Sequence, residues 1–412
     1  MTALRPLFCA IASIALLALS GATRLVGQVV ATTGDAPRPV TPLLDFSGVI
    51  YGNYRYTYDD ATKNANGGNA TNKFDVERVY LNFRMPAGED GSIRVTTDVF
   101  NNSISGTSCV GCYAGWNVRL KYAYFQYNFL HDIGGSKGFN AVARVGMLHT
   151  ALIDHQEGFW PRWVSGVAVE RNGFFSSSDV GIAGVLTFPN KWGELYATIA
   201  NGTGYAAVEN DPYKDYSARL SLTPWGSQDN IMKTFTISPY FYLGKTASKY
   251  LTTTGSSGTD AANGLTRNRD GVFVGLKDRR LTFGAEWGQR TETVETGTSL
   301  ATRGTYDNSG TITSAFVIVR PVELFGDDPK AKSRFGILAR LDNFKPFSNQ
   351  LAAGPATGTQ TTSSANQLLI AGLFWDINSK ATFSLDMQNL SPQSGSATAE
   401  SKVFFAHWQV AF

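Results

Sequence analysis

The chain has 412 residues and a formal charge of +3, an excess too small to point to nucleic acid as a partner. Charged residues make up 17%, below the usual quarter, while Gly (42), Phe (26) and Tyr (17) are plentiful, a balance unlike a string of ordinary soluble domains. The mildly negative mean hydropathy excludes a helical membrane protein but not a barrel whose strands carry one apolar and one polar face.

Residues 1–22 read as a secretory signal: Arg5 in a short basic start, an apolar run from Leu7 to Leu19, then Ser20, Gly21 and Ala22. That run is too short to span a bilayer as a helix, and nothing later reaches about eighteen apolar residues. Residues 23–42, rich in Pro, Thr, Gly and Val, read as a flexible lead-in.

From 43 to 412 the chain alternates apolar and polar residues in runs separated by turn residues, which predicts an all-β transmembrane antiparallel barrel of about sixteen strands. The runs lie near 44–58, 73–85, 92–101, 116–130, 140–149, 179–189, 193–202, 214–225, 233–245, 269–277, 280–290, 311–321, 333–344, 368–377, 381–390 and 401–412. Each is about ten residues long, the length of a tilted membrane strand. Connections alternate between short turns, such as 86–91 and 378–380, and long polar stretches, such as 59–72 and 345–367. That asymmetry, with an even strand count, predicts a barrel with both termini on its short-turn side. Aromatic residues crowd the strand ends, as at Tyr51, Tyr54, Tyr56 and Tyr58 and at Tyr122, Tyr124, Tyr127 and Phe129, and read as interfacial girdles.

Cys109 and Cys112 fall in the second long connection among Gly, Ser and Thr. A redox thiol would open a helix, covalent haem would need His where Tyr113 stands, and zinc would need a second ligand pair. In an exported chain the pair is expected to form a small loop disulfide, with no metal and no cofactor.

The connection at 150–178 differs from the others, for it carries Phe159, Trp160, Trp163, Phe174 and Phe175. So many aromatic side chains must pack against something, and the inner wall of a barrel is at hand. The stretch is expected to fold inward as the third long loop and narrow the lumen, with Arg162, Glu170 and Arg171 near the constriction. His149, Asp154, His155 and Glu157 at its start have the residue types of a metal or acid–base site, but read as solvated loop residues.

The last run, Lys402–Phe412, puts Phe404, Ala406, Trp408, Val410 and Phe412 on one face and His407 and Gln409 on the other. Such a strand is expected to pair with the first and close the barrel, because closure satisfies every backbone group inside lipid.

With the apolar phase toward lipid, the inward phase carries Arg78, Arg84, Arg94, Arg119, Lys121, Arg144, Arg219, Arg280 and Arg340 against fewer acids, among them Asp98, Glu286, Asp342 and Asp386. Basic rings in an aqueous pore favour anions. The expected function is passive diffusion of small hydrophilic solutes, preferably anions, across the outer-membrane lipid. The competing expectations are a substrate-specific channel for sugars or organic acids, and a barrel enzyme using His149 or His155.

Several segments carry a family resemblance. Phe74–Phe83, Arg144-Val145-Gly146-Met147, Glu170-Arg171, Asp179-Val180-Gly181 and Tyr216–Leu220 with Pro224 resemble the phosphate-selective porin O/P family. The resemblance implies a sixteen-stranded outer-membrane channel, a homotrimer, an infolded third loop and a basic conduction path. Phosphate selection in that family uses a Lys cluster at the constriction, and residues 150–178 contain no Lys.

Overall fold

A computed structural model describes residues 44–102, 115–135, 138–207, 209, 211–248, 264–296, 302, 304–326, 333–346, 365–393 and 398–412. The signal, the lead-in and the Cys109–Cys112 pair lie outside the described residues.

Sixteen antiparallel strands form one closed barrel in strict chain order. They are β1 (Asp45–Thr57), β2 (Thr71–Pro86), β3 (Gly91–Asn102), β4 (Gly115–Ile133), β5 (Phe139–His149), β6 (Ser178–Thr187), β7 (Gly193–Ala200) and β8 (Asp215–Leu222). The second half comprises β9 (Thr236–Thr246), β10 (Leu265–Lys277), β11 (Leu281–Thr296), β12 (Gly304–Val319), β13 (Phe335–Lys345), β14 (Asn366–Asp376), β15 (Ala381–Pro392) and β16 (Ser401–Ala411). Every expected run is a strand.

The seam is β1 on β16, in register from Val49↔Ala411 to Thr57↔Val403. Large rings of β16 and of Phe412 just after it cover the glycines of β1: a Cβ on Gly48 or Gly52 would come within 2.3 Å of the Phe412 or Trp408 ring. Glycine is therefore needed at both places, and the rings shield the seam backbone from lipid.

The outward phase is apolar and exposed, as at Phe335, Ile337 and Leu341 on β13, Leu369, Leu373 and Trp375 on β14, and Phe404 and Val410 on β16. An apolar belt on a closed barrel leaves no unpaired strand edge in hydrocarbon, which suits lipid and not water. The chain is thus a barrel of the kind found in the bacterial outer membrane.

Besides register shifts near the end of β4, at Asn128/Leu130 and Leu130/Ile133, two β-bulges shift the alternation along the lumen wall. Tyr51 faces Arg78 while Gly52 faces Val76, leaving Glu77 as the extra residue of β2. Thr96 faces Tyr122 while Thr97 faces Leu120, leaving Lys121 extra on β4. A bulge puts two successive side chains on one side of the sheet, and Lys121 and Tyr122 are both buried inside. Tyr122 and Tyr124 therefore belong to the inner wall and not to the girdle that strand-end crowding predicts. Tyr56 and Tyr127 keep outward, exposed positions.

Candidate functional site: the lumen and its infolded loop

Residues 150–177 fold into the barrel. Their two short helices, α1 (Ile153–Glu157) and α2 (Ala168–Arg171), carry Ile153, Ala168 and Val169 into an apolar cluster with Leu152, Trp160, Val164, Val167, Phe174 and Phe175. The wall half of that cluster is Phe273 of β10, Ile312 and Phe316 of β12, Leu338 and Phe344 of β13, and Leu368, Ile370 and Phe374 of β14. A water-filled barrel has no use for apolar inward residues, and here the loop covers them. Trp160 is the centre: it is 1% exposed, its ring lies 5.2 Å from Phe316, and its Nε1 donates to the Ser165 carbonyl at 2.9 Å.

Polar fastenings ring this core. Arg340 donates to Asp342 at 2.6 Å and to the Gly166 carbonyl at 2.8 Å, with its guanidinium 5.0 Å from the Trp160 ring. Gln388 holds the Val164 carbonyl at 3.0 Å, and Arg219 holds the Ala151 carbonyl and Glu194. His155 meets Ser238 at 3.0 Å; burial pushes its pKa well below the ordinary value, so it serves as a neutral hydrogen-bonding group. Across the lumen, Arg162 joins Glu157 and Glu170 and donates to the Tyr80 hydroxyl of β2 at 3.2 Å. Burial raises Glu157 above the usual carboxylate range against the pull of Arg162. Burial also opposes the charge of Glu170, but Arg162 and Ser177 outweigh it and hold that carboxyl low.

The expected site residues therefore separate into groups. Arg340 and Arg219 are buried and fasten the loop. Arg162 is taken up by two carboxylates on its own loop. Arg171 is exposed to the lumen, in the fields of Asp342 and Arg340, and desolvation within the barrel lowers its pKa from the ordinary value. Arg280 lies before β11 in the turn, exposed and bonded to Asp278 at 2.7 Å, at the end of the barrel and away from its waist. Arg78 and Arg119 share one carboxylate oxygen of Asp98, at 2.8 and 2.9 Å.

The remaining four stand on the wall facing the loop, and among the described residues none is ion-paired. Arg94 donates to Thr96, Asn82 and His149 at 3.1 to 3.2 Å and lies 4.9 Å from the Tyr122 ring. Lys121 reaches the Tyr80 hydroxyl at 3.1 Å and sits 4.3 Å from its ring. Arg144 donates to Gln126 at 2.9 Å, between Tyr124 and Tyr196. Arg84 lines a cavity of about 540 Å³ with Arg94, Arg144, Gln126, Tyr124, His149 and Asp154, and faces Asp45 across the strand pair. Aromatic faces orient Arg94, Lys121 and Arg144 without neutralising them. Sequence reading missed Tyr122, Tyr124 and Gln126 as partners, because their phase depends on the bulge at Lys121.

No protein-family model matches the chain, and no curated protein does. Among solved structures the fold resembles an anion-selective porin from Comamonas acidovorans, with 12% identity, a TM-score of 0.53, and 90% of this chain and 99% of that one covered. It also resembles OmpF of Salmonella typhi in complex with daunomycin, at 10% identity and a TM-score of 0.54 over 90% and 97% of the two chains. A third is the trimer form of OmpT, an outer membrane protein of Vibrio cholerae, at 10% identity and a TM-score of 0.55 over 90% and 99%. At such identities the likeness is one of fold, a porin-type barrel.

Proposed function

We propose that the chain is an outer-membrane porin for passive diffusion of small hydrophilic solutes, with a preference for anions. One observation carries this reading: the loop fills the β10–β14 side of the barrel and faces a wall where Arg84, Arg94 and Arg144 line a cavity with their charge unpaired among the described residues. About sixteen strands enclose more volume than side chains fill, so solute passes along the basic wall. Fixed cations beside a narrow water path lower the barrier for anions and raise it for cations. Phosphate specificity of the kind in the porin O/P family is not part of this reading, since the loop offers no Lys. The assembly proposed is a homotrimer, in keeping with the trimer form of the Vibrio cholerae structure.

The test is the zero-current potential of the purified protein in a planar bilayer across a potassium chloride gradient. A steady conductance with chloride preferred is the expected result. Cation preference would remove the anion reading, and a sealed bilayer would remove the porin.

The electrostatics of the loop add a pH dependence. Burial holds the Glu157 carboxyl above the ordinary carboxylate range and Arg162 holds Glu170 below it, so as pH falls Glu157 loses its charge before Glu170. Removing a negative charge opposite the basic wall is expected to increase chloride preference as pH falls. Glu157→Gln is expected to show the higher preference already at neutral pH and a flatter profile. A variant as steep as the parent would assign the effect to another group.

A further inference from the structure

The 540 Å³ cavity lies near the short-turn end of the lumen, bounded by Pro86 and Gly91 on one side and by the start of the loop on the other. Its two poles are of opposite sign. Arg94 places Nη1 3.2 Å from His149 Nε2, and Asp154 places Oδ1 3.5 Å from that same nitrogen. A guanidinium only donates, so Nε2 must be the accepting nitrogen and the ring proton sits on Nδ1. The Asp154 contact is then acceptor against acceptor and no hydrogen bond. Among the described residues Asp154 has no donor at all, and its side chain is 57% exposed toward the cavity it lines. Meanwhile Arg94 commits three of its five N–H groups, and Arg144 gives Nε to Gln126, so both keep free N–H edges.

An anion alone would satisfy the arginines and be repelled by Asp154. A cation alone would meet the reverse. We propose that this cavity is a binding subsite for small zwitterions with a carboxylate and an ammonium group on one carbon, that is, the α-amino-acid class. The carboxylate takes the free edges of Arg94 and Arg144, a geometry that guanidinium fits well. The ammonium donates to Asp154, whose distance from Arg94 is bounded by the two contacts they share with His149. The subsite rests on the reading of the lumen as a water-filled path, because the ligand must reach it.

Binding is measured by titration calorimetry of the detergent-solubilised protein in low-salt buffer, with L-alanine, propionate and ethylammonium as probes and potassium chloride conductance recorded separately. L-alanine is expected to bind saturably and more tightly than either single-charge probe. Asp154→Asn is expected to weaken L-alanine roughly tenfold, the effect of losing one charge-assisted hydrogen bond, while tightening propionate through loss of the repulsion. Arg144→Gln is expected to weaken both. Equal affinity for propionate and L-alanine, or an Asp154→Asn variant that binds alanine like the parent, overturns the zwitterion site. Absence of alanine binding in a protein that conducts overturns it too, without touching the channel reading. Alanine binding in a protein that does not conduct supports the subsite and rejects the porin.

Discussion

Changing Arg94 and Arg144 together to glutamate is expected to reverse the ion preference, turning the zero-current potential to the cation side. Both side chains hang on the wall opposite the loop, and no carboxylate offsets either among the described residues. The double change moves the fixed charge lining the cavity by four units, where low dielectric walls strengthen each charge. A swing in the permeability ratio on the order of tenfold is expected. The comparison variant is Arg280→Glu, which changes a charge at an exposed turn bonded to Asp278 and is expected to do little. If Arg280→Glu moved the potential as far as the double variant, selectivity would reside at the barrel mouth and not along the β3–β5 wall.

Trp160→Ala is expected to give the second large effect, a rise in single-channel conductance with a loss of anion preference. The indole joins the loop to β12 through Phe316, supports the Arg340 guanidinium and closes the Trp160–Ser165 turn by a hydrogen bond. Truncating a buried tryptophan costs about 3–5 kcal/mol, and here the loss falls on docking of the loop, because the strand ladder holds the barrel independently. A loop released from β10–β14 widens the path, so a passing ion runs farther from the fixed cations of the wall and their screened field selects less. Leu373→Ala, at a lipid-facing position 59% exposed, serves as the control and is expected to leave conductance unchanged. An unaltered conductance in Trp160→Ala would mean that the polar fastenings at Arg219, Arg340 and Gln388 hold the loop by themselves.

Much of the architecture is legible in the residues because membrane strands obey a simple rule. Period two sets which side chains meet lipid, and Phe404, Trp408 and Phe412 against His407 state it plainly. The aromatic content of 150–178 also predicts the inward fold, since Trp160 and Phe174 must be covered. The site is less legible. Inward residues such as Ile312, Leu338, Leu368 and Ile370 make sense only once the loop lies on them. Sequence alternation counts Arg78, Arg94, Arg119, Lys121, Arg144, Arg219 and Arg340 as one basic lining, and their identical chemistry offers nothing to tell them apart.

By itself, then, the sequence determined the sixteen strands, their faces away from the bulges and the one connection that turns inward, because those follow from local periodicity and composition. Only the tertiary structure decided which cations are spent and which are free. Asp98 reaches both Arg78 and Arg119, Asp342 and the loop backbone take Arg340, and Glu157 with Glu170 takes Arg162. Those partners lie across strands or across the lumen, set by bulges at Glu77 and Lys121 and by the docking of the loop. Pairing over such distances depends on the closed register of the whole barrel, which no stretch of the chain encodes alone.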